Sequence, residues 1–331
     1  ILITQETILE SGKLHTITID KDWIEMTDLT KYTVSTDMHW NWVEPLDKDG
    51  QKTKSTADNP RIIDTAAKFA WLKGHAHEQP FYKLTVDIDI NMTGSNWTDG
   101  GLSACTFDGD GHTISGLYIN DPDGFNTALF SSIHNSTLKY LTVEGYVKGS
   151  GNVAGIVANT SAYSNSCYII GCHNACTVEG KFNTAGIANI TENAPNSAIV
   201  GCYNPGTISR YAYNPAGSTY LGGIVGSTTQ STYYIIGCYN AGAISSVTAT
   251  SHCASIAKNC LYTTDFDVFT AQLSGMSVTE ENNAKVTLDE LNSADPTKGF
   301  ALLNAGIKAW NTANPGKECN YHYEAGATNP V

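Results

Sequence analysis

The sequence predicts an all-β protein, a parallel β-helix with short helical caps. Three near copies of one segment carry the prediction: "IIGCHNACTVE" at 169–179, "IVGCYNPGTIS" at 199–209 and "IIGCYNAGAIS" at 235–245. A phrase containing Gly-Ile precedes each copy, so one repeat holds at least two strands. The cysteines of the copies are 30 and then 36 residues apart, a period typical of solenoids and other repeat arrays.

Apolar residues extend the repeat towards the N-terminus. In "TISGLYI" at 113–119 and "TLKYLTV" at 137–143, apolar side chains follow at steps of three and then two residues, as they do in the first cysteine copy. A strand alternates with a period of two, so the step of three predicts a corner between short strands. We expect the two segments to be equivalent, with Ile114 aligned with Leu138 and Ile169. The whole solenoid would then have about six turns.

Charge and composition restrict the function classes. The 331 residues include 19 basic and 32 acidic side chains, and the net charge of −13 repels nucleic acid and anionic lipid headgroups. No apolar run approaches the roughly 18 residues of a membrane-spanning helix. Only 15% of the residues are charged, as suits exposed β-rungs and polar turns. We expect an extracytoplasmic protein, trimmed before Ile1, that is secreted or held at the cell surface, for example by a lipid anchor in the outer membrane.

The repeated cysteines and asparagines are interpreted as folding devices. Cys172, Cys202 and Cys238 would stack about 4.8 Å apart and point the same way, which does not suit a disulfide. We predict buried thiols that act as small hydrophobic side chains. Asn174, Asn204 and Asn240 would pass hydrogen bonds from one turn to the next.

Three regions are predicted along the chain. Residues 1–60 form an N-terminal β segment whose packing is left open, residues 61–265 form the β-helix, and residues 266–331 form a C-terminal capping segment. The first turn of a solenoid exposes unpaired backbone groups, so both ends require a seal.

Helices are expected at both ends. The segment "RIIDTAAKFAWLKG" predicts a short helix with its N-cap at Asp64 or Thr65 and its end at Gly74. Near the C-terminus, apolar residues 3, 4 and 3 positions apart form the stripe of a second helix. They are Phe300, Leu303, Ile307 and Trp310.

The phrases "LGGIVG" and "IIGCYNAGAIS" resemble the pattern that names the GLUG-motif repeat proteins, and "FYKLTVDIDIN" and "FDGDGHTISGLYI" resemble the segments that open such arrays. The resemblance covers residues 60–260. It implies a right-handed parallel β-helix, a location at the bacterial cell surface, and adhesion or glycan contact without agreed catalytic residues. Three copies depart from the pattern, because Ala154 and Ala185 stand where its first glycine is expected and Cys260 lacks the following asparagine.

The first catalytic candidates are the carboxylates of "LTVDIDIN". Leu84, Val86, Ile88 and Ile90 would share the buried face of one strand. Asp87 and Asp89 would then lie on the other face, near the carboxylate separation of inverting glycosidases. Any solvated strand face with two aspartates has this geometry, and we favour that interpretation.

A second group of candidates lies in "FDGDGHTISG". Asp108, Asp110 and His112 offer an acid–base or Ca²⁺ cluster, but Asp-Gly pairs are also what tight turns require. His75, His77 and Glu78 would need further converging ligands to hold a metal, and we predict neither a metal nor a cofactor.

Tyrosines supply the predicted binding surface. Many lie in segments that join the strands, and a tyrosine combines a flat apolar ring with a hydroxyl that suits sugars or proteins. We interpret Tyr203 and Tyr239 as a stacked structural ladder. The predicted binding residues are Tyr163, Tyr211, Tyr213, Tyr220 and Tyr233.

Together these features predict a non-catalytic surface or secreted scaffold that binds a glycan or a protein, from the host or a surface, through a loop face. The alternative is a polysaccharide lyase or glycoside hydrolase, which rests on fold analogy. A third hypothesis is a spacer that holds another module away from the cell.

Overall fold

The chain coils into a β-helix, as described by a computed structural model for residues 43–90, 96–97, 100–161, 166–190, 197–211, 220–228, 233–246, 252–254, 289, 292–293, 295 and 298–325. Within these ranges there are 26 strands and two helices. Every pairing between the described strands is parallel, and the strands stack into four sheets. The predicted fold class, an all-β parallel β-helix, is confirmed.

The first two sheets hold most of the strands. The first sheet consists of Arg61–Ile63, Phe81–Leu84, Thr106–Asp108, Thr137–Lys139, Tyr168–Ile170, Ser197–Val200 and Tyr233–Ile236. The second sheet consists of Ile88–Asp89, Thr113–Asn120, Thr142–Lys148, His173–Asn174, Thr177–Gly180, Tyr203–Asn204, Ile208–Arg210, Tyr239–Asn240 and Ile244–Ser246.

Two five-stranded sheets complete each turn. The third sheet consists of Asn126–Thr127, Asn152–Ala154, Asn183–Ala185, Tyr220–Gly222 and His252–Ala254. The fourth sheet consists of Leu102–Ser103, Ile133–His134, Val157–Ser161, Ala188–Ile190 and Val225–Thr228. A full turn visits the sheets in the order first, second, third and fourth.

The core is a set of in-register columns inside the coil. In the first sheet one buried column runs through six consecutive turns, and its side chains belong to the main hydrophobic cluster. It contains Tyr82, Phe107, Leu138, Ile169, Ile199 and Ile235. Stacking equivalent positions buries one continuous core, which no single repeat could form alone.

The register of the second turn differs from the expectation. Ile114 pairs with Val143, whereas Leu138 pairs with Phe107 and Ile169, so the alignment of 113–119 with 137–143 is wrong. Apolar steps of three and two recur at more than one corner of each turn. Spacing alone therefore allowed a shift, and packing of Phe107 against its neighbours decides the register.

A corner also interrupts the predicted "LTVDIDI" strand. The chain leaves the first sheet after Leu84 and enters the second sheet at Ile88, so Val86 is 42% exposed and does not share the buried face. Leu84, Ile88 and Ile90 are buried as expected.

The predicted column of buried cysteines is confirmed. Cys172, Cys202 and Cys238 are fully buried free thiols. The backbone N–H of Cys172 points to the sulfur of Cys202, and that of Cys202 to the sulfur of Cys238, at 3.4 Å in both cases. The thiols fill the interior beside the corner and accept weak hydrogen bonds there.

The asparagine ladder is also confirmed. Asn174 Nδ2 donates to Asn204 Oδ1, and Asn204 Nδ2 donates to Asn240 Oδ1, at 2.6 Å each. All three side chains are fully buried. The glycines of the Gly-Ile phrases make room for them, because a Cβ at Gly155 or Gly186 would overlap the amide of Asn174 or Asn204. Ala154 and Ala185, two of the departures from the motif, pair in register and are buried.

Helix α1, Ala66–Trp71, lies at the first turns as predicted. Thr65 is its N-cap, and the Thr65 side chain accepts the N–H of Lys68 at 3.2 Å. Phe69 packs inside the coil, stacked on Trp97 at 5.3 Å and edge-on to Phe107 at 6.0 Å. The helix thus closes the core of the first turns with aromatic side chains.

Residues 43–60, the described part of the predicted N-terminal segment, cover the edge of the first strand. Ile62 donates its N–H to the carbonyl of Leu46 at 2.8 Å. The buried Arg61 side chain donates to the carbonyls of Pro45 and Gln51. These contacts satisfy backbone groups at an otherwise open edge. Residues 1–42 lie outside the described part of the chain.

Helix α2, Gly299–Ala313, contains the predicted apolar stripe, but its contacts are on the side of the coil. We call residues 298–325, which comprise α2 and the segment after it, the C-terminal strap. The strap packs on the outer face of the first sheet, where Trp310 lies against Tyr168 and Tyr234. The expected place was the open end. The outer face is apolar in the last turns, and covering it buries the stripe of α2.

The outer face of the first sheet changes character along the coil. One outward column begins with Ile62, is charged in the next three strands and is apolar in the last three. It contains Lys83, Asp108, Lys139, Ile170, Val200 and Ile236. Helix α2 covers the apolar part, which explains its position, and the segment after α2 reaches the preceding strand, where Lys317 donates to Thr137. In the described ranges, neither helix has the length and hydropathy to cross a membrane.

Candidate functional site

Asp87 bridges two turns of the coil. Its carboxylate accepts the N–H of Thr113 at 2.9 Å and contacts Nδ1 of His112 at 3.0 Å. These two contacts hold the pKa of Asp87 below its usual value. A glycosidase general acid requires a raised pKa, so Asp87 has the opposite environment. Asp89 is exposed on the neighbouring strand.

Asp108 and Asp110 are each paired with a lysine. Lys139 Nζ lies 2.9 Å from Asp108, and Lys83 Nζ lies 2.9 Å from Asp110. Asp108 Oδ1 also accepts the N–H of Asp110, which has a positive φ of 51°. The Asp-Gly segment therefore makes a tight turn of the kind these residues favour.

The histidine candidates do not gather into a metal site in the described part of the chain. No three His, Cys, Asp or Glu side chains converge there to hold an ion. His75 stacks on Trp71 at 4.5 Å, and its Nδ1 lies 2.9 Å from the carbonyl of Trp71. His77 and Glu78 are exposed.

The predicted tyrosines are spread over several sheets. Tyr211 follows the second sheet, Tyr220 begins a strand of the third, and Tyr233 begins a strand of the first. Tyr163 and Tyr213 lie outside the described residues, as does the side chain of Tyr233. Tyr203 and Tyr239 stack at 5.4 Å, with 22° between their planes, as the structural ladder requires.

A different tyrosine cluster lies on the outer face of the second sheet. Tyr118 pairs in register with Tyr146, and their rings stack at 5.7 Å with 26° between planes. The neighbouring outward column brings Lys148 next to Glu179. We call Tyr118, Tyr146, Lys148, Glu179 and Tyr211 the tyrosine face.

Hydrogen bonds and an ion pair order the tyrosine face. Tyr146 Oη donates to Glu179 Oε2 at 3.1 Å, and Lys148 Nζ lies 3.1 Å from the same oxygen. Lys148 is also 4.4 Å from the ring centroid of Tyr211, whose Oη donates to the carbonyl of Pro122. Burial, and then the charge of Glu179, raises the pKa of Tyr146 to about 12. The hydroxyl stays protonated at neutral pH and fixes the carboxylate.

This face can offer a ligand partly exposed rings, hydroxyls and one compensated ion pair on a flat sheet. Of its members, only Tyr211 is a binding residue predicted from the sequence. The missed signal was an aromatic at the same register position of two successive turns, in "GLYIN" and "GYVKG".

His173 is a titratable group shielded beneath the strap. Its ring lies edge-on to Tyr203 at 5.7 Å and tilted against Tyr321 at 5.3 Å. Nε2 is buried without a hydrogen-bond partner in the described residues. Burial lowers the pKa of His173 to about 4.

We expect His173 to make stability pH-dependent. The unfolded chain, with an ordinary histidine pKa near 6.5, binds the proton before the folded chain does. Stability should therefore fall as the pH decreases from about 6.5 towards about 4, by up to about 3 kcal/mol from this group. Urea unfolding at several pH values should give a shallower dependence for His173→Phe than for the wild type. The exposed His77→Gln variant should keep the wild-type dependence, and equal slopes in all three proteins would contradict the assignment.

No family model matches the chain. A protein of Evansella cellulosilytica described as "Putative Gly-rich membrane protein" is 31% identical over 128 residues, which are 33% of this chain and 15% of that protein. Halomucin of Haloquadratum walsbyi is 31% identical over 122 residues, which are 32% of this chain and 1% of that protein. The chain thus spans a small fraction of both relatives.

Among solved structures, the chain is similar to one from Bacteroides ovatus described as "a putative immunoglobulin A1 protease". The TM-score is 0.46 at 16% sequence identity, and the match covers 78% of this chain and 89% of that one.

Proposed function

We propose that this chain is a non-catalytic scaffold of the cell surface or the secreted fraction that binds a neutral glycan through the tyrosine face. The observation that carries the proposal is the stacked pair of Tyr118 and Tyr146 beside a compensated ion pair. Tyrosine rings contact the apolar faces of sugars, while hydroxyls and ion-paired groups hydrogen-bond to sugar hydroxyls.

The charges around the tyrosine face favour a neutral ligand. Lys148 and Glu179 cancel each other. Asp121 and Asp123 lie close enough to contribute to the raised pKa of Tyr211. With a net charge of −13 on the whole chain, an anionic polysaccharide would be repelled.

The surface location rests on two further observations. The sequence resembles the GLUG-motif repeat proteins, and the relative from Evansella cellulosilytica is described as a membrane protein. The resemblance supports an extracytoplasmic place for the repeat and adhesion as its biological role, and the description of the relative supports only a place at a membrane.

Glycan cleavage is the less favoured function. Asp87 has a lowered pKa, and Asp108 and Asp110 each pair with a lysine. Neither the lowered pKa of Asp87 nor the ion pairs of the other two carboxylates suit a general acid.

We expect stronger retardation of the wild-type chain in affinity gels with neutral polysaccharides than with polyuronates. A Tyr118→Ala/Tyr146→Ala double variant should bind about tenfold more weakly or worse, since buried aromatic anchors often dominate such contacts. Tyr220→Ala, which changes a tyrosine of the third sheet, is the matched control. The far-UV circular dichroism spectra of this control and of the double variant should equal the wild-type spectrum.

Three results would contradict this assignment. Loss of binding in Tyr220→Ala alone would move the site to the originally predicted loops. New reducing ends that disappear in Asp87→Asn or Asp108→Asn would favour an enzyme. Absence of retardation with every polysaccharide would favour a protein ligand or a spacer.

A further inference from the structure

A small cavity lies where the strap leaves the apolar part of the first sheet. Its volume is about 180 Å³, and both the sheet and the strap line it. The sheet contributes Thr106, Thr137 and Lys139, and the strap contributes Lys317 and Asn320. This wall is polar, in contrast to the contacts of α2.

Lys317 is the unusual charge of this cavity. Its Nζ donates to Thr137 Oγ1 at 3.0 Å and lies 4.6 Å from the ring centroid of Tyr168. It forms no ion pair with a carboxylate of the described residues. Burial, and then repulsion by Lys139, lowers the pKa of Lys317. A half-buried ammonium without a counter-charge is unfavourable, and an anion would relieve it.

Neither of the acidic groups near the cavity, Asp108 and Glu318, forms an ion pair with Lys317, and Glu318 keeps its negative charge. Asp108 pairs with Lys139 at 2.9 Å. Glu318 also lines the cavity, and its Oε1 accepts the N–H of Gly316 at 2.8 Å. The backbone carbonyl of Glu318 accepts the hydroxyl of Tyr140. Of the two lysines that line this cavity, Lys139 is paired and Lys317 has no carboxylate partner among the described residues.

We propose that this cavity binds one oxyanion group, a carboxylate, phosphate or sulfate, with Lys317 as the charged donor and the Thr106 and Thr137 hydroxyls as neutral donors. A charged donor combined with hydroxyls is a common arrangement for such groups. The volume is below that of pockets for drug-sized ligands, so the ligand is an inorganic oxyanion or one acidic sugar unit.

An ion at this place would also join the strap to the first sheet. Lys317 belongs to the strap, whereas Thr106, Thr137 and Lys139 belong to the sheet. A ligand that binds only the docked strap stabilises the docked state by mass action. This site is separate from the tyrosine face and does not depend on the proposed glycan contact there.

The test is isothermal titration of the full chain with sodium glucuronate, sodium sulfate and sodium phosphate. Methyl glucoside and sodium chloride at matched ionic strength are the comparison ligands. We expect saturable binding of at least one oxyanion and a raised thermal midpoint in its presence. Saturation by glucuronate alone would identify an acidic sugar, and saturation by sulfate or phosphate would identify a free oxyanion. An equal effect of chloride, or saturation by none, would overturn the proposal.

Variants locate the binding to Lys317. Lys317→Gln should weaken binding about tenfold or more, and Lys317→Arg should retain most of it. Lys308→Gln, at an exposed lysine of α2, is the matched control and should bind as the wild type does. Trp310 lies against Tyr168 and Tyr234 of the first sheet, so a change in tryptophan fluorescence reports undocking of the strap in each variant. Unchanged affinity in Lys317→Gln with a docked strap would refute the site.

Discussion

Replacement of Asn204 by alanine should destabilise the folded chain by about 3 to 6 kcal/mol, because it interrupts a fully buried amide ladder. Asn204 accepts from Asn174 and donates to Asn240, and its Nδ2 also donates to the carbonyl of Gly206. The change leaves three buried polar groups with one partner fewer. Each unsatisfied group costs about 1–3 kcal/mol, and the vacated volume adds to the loss.

Urea unfolding followed by circular dichroism measures this loss. A matched control exists in the third sheet, where Asn152 Nδ2 donates to Oδ1 of the exposed Asn126 at 3.0 Å. Asn126→Ala removes a similar hydrogen bond between amides, but at a position exposed to water. The loss of stability should therefore be less than about 1 kcal/mol. If the two variants had the same unfolding midpoint, the buried ladder would not be a main source of stability.

Gly201→Ala should release the C-terminal strap from the first sheet and destabilise the chain by about 2–4 kcal/mol. Gly201 has a φ of 61° at the corner after the first sheet, a conformation that costs an alanine about 1–2 kcal/mol. The new Cβ would also overlap the sulfur of Cys319 in the strap. The strap would have to move away from the corner, and α2 would lose part of its buried surface.

Red-shifted Trp310 fluorescence and faster proteolysis of the strap are the expected observations. Gly74→Ala is the control, since Gly74 has a φ of 79° but no atom within 4 Å of the new Cβ. The Gly74→Ala variant should show only the loss of stability that comes from backbone strain. In the Gly201→Ala background, Cys319→Ala removes the overlapping sulfur and should restore part of the docking. A docked strap in Gly201→Ala would disprove the role of this corner.

The residues at the corner after each strand of the first sheet explain why glycine recurs before each repeated cysteine. Gly171, Gly201 and Gly237 have φ values of 59°, 61° and 60°. The preceding turn carries Tyr140 at the same place, with a φ of 54°. The Tyr140 hydroxyl donates to the carbonyl of Glu318 and accepts the N–H of Asn320, which places this strained residue in the strap interface.

A sequence signal for the strap existed. Ile169 and Ile170, Ile199 and Val200, and Ile235 and Ile236 are consecutive apolar pairs, which indicate strands buried on both faces. The earlier strands place Lys83, Asp108 and Lys139 outward instead. These pairs therefore indicate that the predicted C-terminal helix packs on the side of the coil rather than on its end.

The candidate sites were less predictable than the fold. Asp87 and Asp89 were chosen because they stand two residues apart, but a corner between the strands directs Asp87 to the next turn. Asp108 and Asp110 were chosen for their turn, and their lysine partners come from neighbouring turns. Pairs that form only between turns leave no pattern within a single segment of the sequence.

The repeat, the buried cysteine and asparagine columns, and the existence of both helices followed from the sequence alone. Each of these is a periodic pattern, and stacking of equivalent turns converts that pattern directly into contacts. The path of the strap, the tyrosine face and the pairing of each carboxylate were decided only by the tertiary structure. They depend on contacts between different repeats or over long separations, such as the 180 residues between Thr137 and Lys317, and such contacts leave no period in the chain.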